Sequence, residues 1–591
     1  MQKLSARCIR GALASALVAS PFTLVPLHAE LPPIGSANVA IADPDIPAPP
    51  TDPCVVPLYD DFTFIGFDAQ MFDFAPPVGC PGPWQKVVLS ADFDVTVGRQ
   101  FDRTAEIWIG GANVYFGTTE EPRATVAPSW HIERDLTDYS ALFTTAQSGR
   151  VDLGNVVDDT YTGIIHGSAS LAFYPRVDTA FDEPPRPDVI LPLAADATGG
   201  TVTLSSPDDH LAVYFTLPTN IRRVFLDVIA QAQNSDEFWY LCVPDDFANE
   251  LESCPGTGFR EAEVTVDGIL AGIAPIYPWI YTGGIDPGLW RPSPGIQTLS
   301  FQPYRVDLSP YAAWLSDGLQ HVIGVRVFNA QPYFSATANL LLYLDHGSSR
   351  VTGDLTTNTL VYPDPEITSD LTSGDTSLAG TLDVTTTRDY EISGFVDTSE
   401  GRITTDLTQH IAFSNAQIFD IVGSATYRQR LQQSTVIDTT TSVNTGVYSH
   451  VLTEHVDWPL AVDYAFDVAA DGSAAQVTSI DQGLQRAMDI GVDDFTPYHA
   501  SLAQDMTTSD TVLFDSDGNQ TGRVNQSSQQ SYSYLDPFGA CYSRTITTAN
   551  GLLSAVDDGV GCADDSNTLT WFDALYNDGS SIFGATVQIL P

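Results

Sequence analysis

The residues of this 591-residue chain best suited to chemistry are carboxylates set beside aromatic and arginine side chains. Phe101-Asp102-Arg103 stands just ahead of a strand-like run. Glu237 opens Glu-Phe-Trp-Tyr, and Glu261 follows Phe259-Arg260. An ionised carboxylate takes a proton from water, a neutral one supplies a proton, and fixed donors stabilise the negative charge that develops between them. Such a set performs hydrolysis without a metal. The signatures of other chemistries are missing, since the chain has no GxSxG elbow, Walker loop, GxGxxG or HExxH. His450 and His455 are five positions apart and point to opposite faces of a strand. Asp515-Ser-Asp-Gly-Asn519 has its glycine two places too early for a calcium loop, and no bidentate Glu follows, so it reads as a tight turn. No metal and no cofactor is expected.

These residues must be held by β-strands. Val87, Leu89, Ala91, Phe93, Val95 and Val97 alternate with polar residues, and the same period of two returns at Ala105, Ile107 and Ile109 and again from Ile165 to Phe173. Asp102 precedes Arg103 at the start of a strand, which sends Asp102 toward a cleft and Arg103 to the opposite face, as an ion-pair partner or a substrate contact. Further strands read TVTL, HLAVYFTL, VFLDVIAQAQ, EAEVTVDG and HVIGVRVF, with a hairpin turn at Asp267-Gly268. Helical periodicity is confined to a turn near Pro310 to Leu315. The expected fold is all-β, with two adjacent jelly-roll-like antiparallel sandwiches (54–190 and 191–347). A flexible or extended Pro-rich leader (30–53) precedes them, and a β-rich C-terminal region of unassigned role (348–591) follows. Cutting the chain near His346 is expected to keep the catalytic groups and the activity at reduced stability.

The segments GRQFDR, TTEEPRAT, WHIERDLTDY and LGNVVDDTYTG, followed by SDEFWY, GFREAEVTVDG and YTGGIDPGLW, resemble in this order the plant-type peptide-N-glycanases (peptide-N-glycosidase A). A weaker likeness reaches the peptide-N-glycosidase F group, in which a Trp-Asp-Arg holds the principal catalytic aspartate. The resemblance implies an amidase that cleaves the β-aspartylglucosamine linkage of N-glycopeptides and N-glycoproteins. It leaves aspartate, releases a glycosylamine and tolerates a core α-linked 3-fucose. It also implies that Asp102 is catalytic, with Glu237 or Glu261 as a second carboxylate. Glu237 is favoured because Phe238, Trp239 and Tyr240 follow it as a sugar-stacking wall. Phe259-Arg260 matches a Phe-Arg of the F group, and this places Gly256 where that group has a glutamate. Asn155 falls where the F group has another glutamate, and Asp158 matches an acidic position of the plant-type pattern; both are expected at the substrate with Arg103, Trp239, Arg260 and Trp290. Glu121-Pro122-Arg123 is a plant-type marker that an Arg-Glu brace explains equally well, and Trp290 either closes over the sugar or fills the core.

Met1 to Ala29 carries Lys3, Arg7 and Arg10 ahead of a short apolar run broken by Pro21 and Pro26, the pattern of a secretory signal peptide rather than a span of about 20 residues. Its removal leaves six of seven cysteines, expected as the local disulfides Cys54–Cys80, Cys242–Cys254 and Cys541–Cys562 of a secreted or periplasmic protein. It also leaves 22 basic residues (25 less three) against 74 acidic ones, a formal charge of −52. So acidic a surface repels nucleic acid and anionic membranes, and a monomer is expected. Two rival classes are a non-catalytic carbohydrate-binding β-sandwich protein and an adhesion protein acting through its acidic C-terminal part. Intact Asp102 with its flanking residues favours the enzyme.

Overall fold

The computed structural model describes residues 31–176, 185–493, 495–537, 539–563, 567 and 569. The expected signal peptide lies outside them. Eight strands come first: β1 (Cys54–Phe64), β2 (Gln70–Phe74), β3 (Trp84–Val95), β4 (Thr104–Ile109), β5 (Ala112–Thr118), β6 (Ser129–Asp135), β7 (Gln147–Leu153) and β8 (Ile165–Pro175). They form two four-stranded sheets, ordered β1-β8-β3-β6 and β2-β7-β4-β5. The alternation seen from Val87 to Val95 is the reason: Val87, Leu89, Ala91, Phe93 and Val95 are buried against Ile107, Ile109 and Val151 of the facing sheet. Val97 lies beyond the strand and is exposed.

Nine strands build a second sandwich: β9 (Val189–Leu193), β10 (Val202–Leu204), β11 (Leu211–Thr216), β12 (Ile221–Gln233), β13 (Glu261–Val266), β14 (Ile269–Pro275), β15 (Tyr304–Asp307), β16 (Gln320–Val327) and β17 (Tyr333–Leu344). One sheet is ordered β10-β17-β12-β15, with β9 also on β17, and the other β11-β16-β13-β14. Asp267 and Gly268 both have positive φ, 51° and 80°, as a two-residue hairpin turn between β13 and β14 requires. The two sandwiches share a core, because Phe225, Leu341 and Tyr343 of the second pack into the apolar cluster of the first. Arg305, paired with Asp227 of its own sandwich at 2.7 Å, ties them further through Asp138 of the first at 2.6 Å.

The C-terminal region is one antiparallel sheet of eleven strands. Its strands are β18 (Thr352–Asn358), β19 (Glu366–Ser373), β20 (Ser377–Thr398), β21 (Gly401–Val422), β22 (Thr426–Asn444), β23 (Ser449–Val468), β24 (Ala474–Val492), β25 (Phe495–Phe514), β26 (Gln520–Leu535), β27 (Cys541–Ala549) and β28 (Leu552–Asp558). Alternate residues of β21 are buried over almost its whole length, and the others face outward. One face is therefore covered, as antiparallel sheets allow. The cover is the second sandwich: Phe413 packs on Phe259 with ring centroids 4.9 Å apart, and Trp458 meets Tyr277 edge-on at 5.4 Å.

The Pro-rich leader is extended and docked rather than flexible. Its Ala40 N–H donates to the Pro292 carbonyl at 3.0 Å, its Ala42 N–H to Gln530 at 2.7 Å and its Ile46 N–H to Glu133 at 2.8 Å. Ala40 and Ala42 are small enough to be buried there. The three disulfides join Cys54 to Cys80, Cys242 to Cys254 and Cys541 to Cys562. His450 is buried while His455 on the other face of β23 is exposed and bonded to Asp438. Asp515 accepts from the N–H groups of Asp517 and Asn519, the geometry of a tight turn.

Candidate active site

Asp102 lies in the loop between β3 and β4, two residues before β4 begins at Thr104, so Arg103 ends the loop rather than starting the strand. The loop is pinned to the segment after β5: the Thr119 N–H donates to the Arg103 carbonyl at 2.8 Å, and the Arg103 N–H donates to Thr119 Oγ1 at 2.8 Å. Thr282, from the second sandwich, then bridges the same segment. Its hydroxyl donates to the Thr119 carbonyl at 2.8 Å and accepts from the Glu121 N–H at 2.8 Å. This brings Gly283 over both acids. Its N–H donates to Asp102 Oδ2 at 3.2 Å, and a Cβ on Gly283 would lie 2.3 Å from Glu121 Oε2 and 2.6 Å from Asp102 Oδ1.

Only a residue without a side chain lets the two carboxylates close on that turn. Gly283→Ala is therefore expected to lower turnover by about 10², the scale of a misplacement near 1 Å. Steady-state kinetics on protein whose melting curve is intact would check this, and near-normal turnover would contradict it.

Glu237 follows the one-turn helix Asn234–Asp236 at the end of β12. Burial pushes its carboxyl up to about 7, and the charges of Asp102 and then Glu121 push the same way. Glu121 is likewise raised to about 7 by burial and by Asp102, with Arg291 opposing at 3.3 Å. Buried Glu120 beside it is raised to about 8, mainly by desolvation. Asp102 is also raised by burial, but the Gly283 N–H and the Arg103 charge counteract, and no neighbouring acid adds to its shift. Burial thus lets Glu121 and Glu237 retain protons into the neutral range, while the Gly283 N–H and the Arg103 charge favour the ionised form of Asp102.

The same shifts set a pH dependence of stability. In the unfolded chain these glutamates ionise near 4.5, whereas in the fold they do so near 7 to 8. Their contribution is thus fully present below about 4.5 and is lost as pH rises through 7 to 8. The melting temperature is expected to be higher at pH 5 than at pH 8 at equal ionic strength; the reverse order would contradict these assignments.

The other anticipated site residues are placed differently. Glu261 faces the C-terminal sheet, where Arg388 ion-pairs with it, so it is a brace between layers and not the second carboxylate. Arg260 is buried against Asp236 at 2.8 Å and also donates to the carbonyls of Gly256, Thr257 and Phe259, leaving nothing for a substrate. Trp239 is 1% exposed and Trp290 wholly buried with its indole N–H on the Gly284 carbonyl, so neither presents a face to sugar. Asn155 is completely buried and donates to the carbonyls of Phe64 and Gly163. Asp158 is exposed and accepts from the N–H groups of Thr160 and Tyr161 in a turn.

That turn has a use, because Tyr161 packs on Phe101 with centroids 5.2 Å apart. Phe101 is 40% exposed, and the guanidinium groups of Arg99 and Arg103 lie over its ring. The accessible aromatic surface beside Asp102 is therefore Phe101 and Tyr161 rather than the run after Glu237. Arg103 is half-buried and donates to Gln100 Oε1 at 2.7 Å. Glu121, Thr282 and Gly283 escaped the sequence reading as site residues, although all lie in segments that carried the family resemblance. Their meeting depends on how the two sandwiches dock.

A family model described as peptide N-acetyl-beta-D-glucosaminyl asparaginase amidase A matches residues 57–360. A peptide-N4-(N-acetyl-beta-glucosaminyl)asparagine amidase A of Prunus dulcis is 31% identical over 532 residues, which span 85% of this chain and 89% of that protein. Among solved structures, PNGF-II aligns with TM-score 0.35 at 12% identity, over 49% of this chain and 66% of its own. A peptide-N(4)-(N-acetyl-β-D-glucosaminyl) asparagine amidase aligns with TM-score 0.34 at 11% identity, over 50% and 96%.

Proposed function

The chain belongs to the peptide N-acetyl-beta-D-glucosaminyl asparaginase amidase A family, and we propose that it hydrolyses the amide between an asparagine side chain and the N-acetylglucosamine of N-linked glycopeptides and glycoproteins. The observation that carries the reading at the level of residues is the convergence of Asp102 and Glu121 on the Gly283 turn, with Glu237 in electrostatic reach of both. Asp102, whose ionised form the Gly283 N–H and the Arg103 charge favour, takes a proton from water as the water oxygen bonds to the amide carbon. The N–H of Gly283 holds Asp102 in place. When the C–N bond breaks, the departing nitrogen receives a proton from Glu237, which has no cation among the causes of its shift and stays neutral up to about pH 7. The products are aspartate in the peptide and a glycosylamine. Glu121 is held by Arg291, and the charge of ionised Asp102 helps burial keep Glu237 protonated.

Phe101 and Tyr161 suit an apolar sugar face, and the acceptance of a core α-linked 3-fucose is part of this proposal. The two sandwiches are read as the amidase unit. Export is read from the leader sequence and the disulfides; no helix of the described residues is long and apolar enough to cross a membrane.

Purified protein incubated with a glycopeptide is expected to release a peptide with Asp in place of Asn, detected by its mass. An unchanged glycopeptide would favour a carbohydrate-binding protein instead. Glu237→Gln, which keeps shape but cannot deliver a proton, is expected to lower kcat by about 10-fold to 10²-fold, less than loss of Asp102. Unchanged kcat and KM would remove Glu237 from the mechanism.

A further inference from the structure

The backbone that follows Glu237 is met by three side-chain amides of the C-terminal sheet. Asn415 Nδ2 donates to the Tyr240 carbonyl at 2.8 Å, Gln429 Nε2 to the Leu241 carbonyl at 3.1 Å and Gln417 Nε2 to the Cys242 carbonyl at 3.0 Å. The amides are also joined to one another. Gln417 Nε2 donates to Asn415 Oδ1 at 2.9 Å, and Gln429 Nε2 donates to Gln417 Oε1 at 2.7 Å. All three are buried. A buried amide is costly unless its hydrogen bonds are made. Elsewhere the inward positions of β21 and β22 include Ile411, Phe413, Phe419, Ile421, Leu431 and Ile437. Opposite the loop the inward positions are amides, and Gln409 and Gln433 are further inward amides of the same two strands.

The loop has little regular structure of its own. Its one-turn helix, Trp239–Leu241, ends at Cys242, and the consecutive carbonyls of Tyr240, Leu241 and Cys242 take no backbone N–H, only the Ser253 hydroxyl reaching Leu241 at 2.9 Å from within the loop. The amides supply partners from a rigid element, across a sequence distance of more than 170 residues. A side chain on such a support is held more closely than one on a free loop.

We propose that Asn415, Gln417 and Gln429 are positioning residues of the amidase reaction, holding the Glu237 turn at its place against Asp102. The proposal rests on the reading of Glu237 as proton donor. It gives the C-terminal sheet a part in catalytic geometry as well as in covering apolar surface. Loosening the turn admits water to Glu237 and draws its carboxyl away from Asp102, so its ionisation moves toward the ordinary value.

The test uses the full chain. Gln417→Met is expected to lower kcat by about 10-fold to 10²-fold with KM within about threefold, and to move the limb of the kcat/KM profile that vanishes in Glu237→Gln toward lower pH. Gln409→Met is the matched control: Gln409 is buried on the same strand but donates to the Tyr304 and Thr439 hydroxyls, and its loss is expected to reduce stability with kcat unchanged. In the double variant Gln417→Met/Glu237→Gln, the effect of Gln417→Met is expected to disappear, because it acts through Glu237. If Glu237→Gln alone keeps full turnover, the reading of Glu237 fails. If Glu237→Gln is slow but Gln417→Met slows it by the same factor as it slows the wild type, that reading stands and the positioning proposal is overturned. Wild-type kcat and pH profile in Gln417→Met and Gln429→Met would overturn it too, as would failure of both to fold while Gln409→Met folds.

Discussion

Asp102→Asn is expected to lower turnover by about 10² to 10⁴ while preserving the fold and glycopeptide binding. Asparagine has the same shape, and its side-chain carbonyl can still accept the Gly283 N–H that Asp102 accepts at 3.2 Å. What it cannot do is take the proton of the attacking water. The substitution also removes the charge that raises Glu121 and Glu237, so both should ionise at lower pH in the variant. Single-turnover kinetics with a fluorescent glycopeptide, together with a binding isotherm, would separate chemistry from affinity. Near-normal turnover in Asp102→Asn would contradict its role as the base.

The second large effect concerns the C-terminal sheet. A chain ending at His346 contains Asp102, Glu121 and Glu237, and on sequence alone it is expected to be active. The structure argues for a different result. Truncation strips Phe413 from Phe259 and Trp458 from Tyr277, exposing a continuous part of the main apolar core. It also removes Arg388 from buried Glu261 and Arg523 from Asp286, whose ion pair at 2.6 Å steadies the turn after Gly283. Loss of soluble, active enzyme is therefore expected, as measured by size-exclusion chromatography and glycan release. A monomeric truncated chain with full turnover would show that the two sandwiches are self-sufficient.

Legibility of the molecule from sequence varied with the kind of signal. Strand β3 was plain because apolar residues alternate with polar ones and one face is a core. Asp267-Gly268 was plain because few residue pairs tolerate positive φ in succession. Asp102 was singled out by the family resemblance of the segments around it, since an Asp-Arg dipeptide alone reads as an ordinary ion pair. Trp239, Arg260 and Glu261 were misplaced, and Trp290 left undecided, for one shared reason: residue type does not reveal burial, and an aromatic or charged group that suits a ligand suits a core or an internal ion pair equally well. The single eleven-stranded sheet was not foreseen because Asn415, Gln417 and Gln429 take inward positions that would ordinarily be apolar, which blurs the period of two. Gly283 and Glu121 lie on different sandwiches, and only their docking shows that one must be small for the other to approach Asp102.

The claim at the centre of this account is that water, activated by Asp102, attacks the side-chain amide carbon and not the sugar. Running the reaction in heavy-oxygen water and sequencing the peptide product by tandem mass spectrometry tests it most directly. The account predicts one heavy oxygen in the new aspartate carboxyl at the former glycosylation site, formed at a greatly reduced rate by Asp102→Asn. An unlabelled peptide that still carries asparagine, with the glycan released, would place bond cleavage on the sugar side of the nitrogen and contradict it.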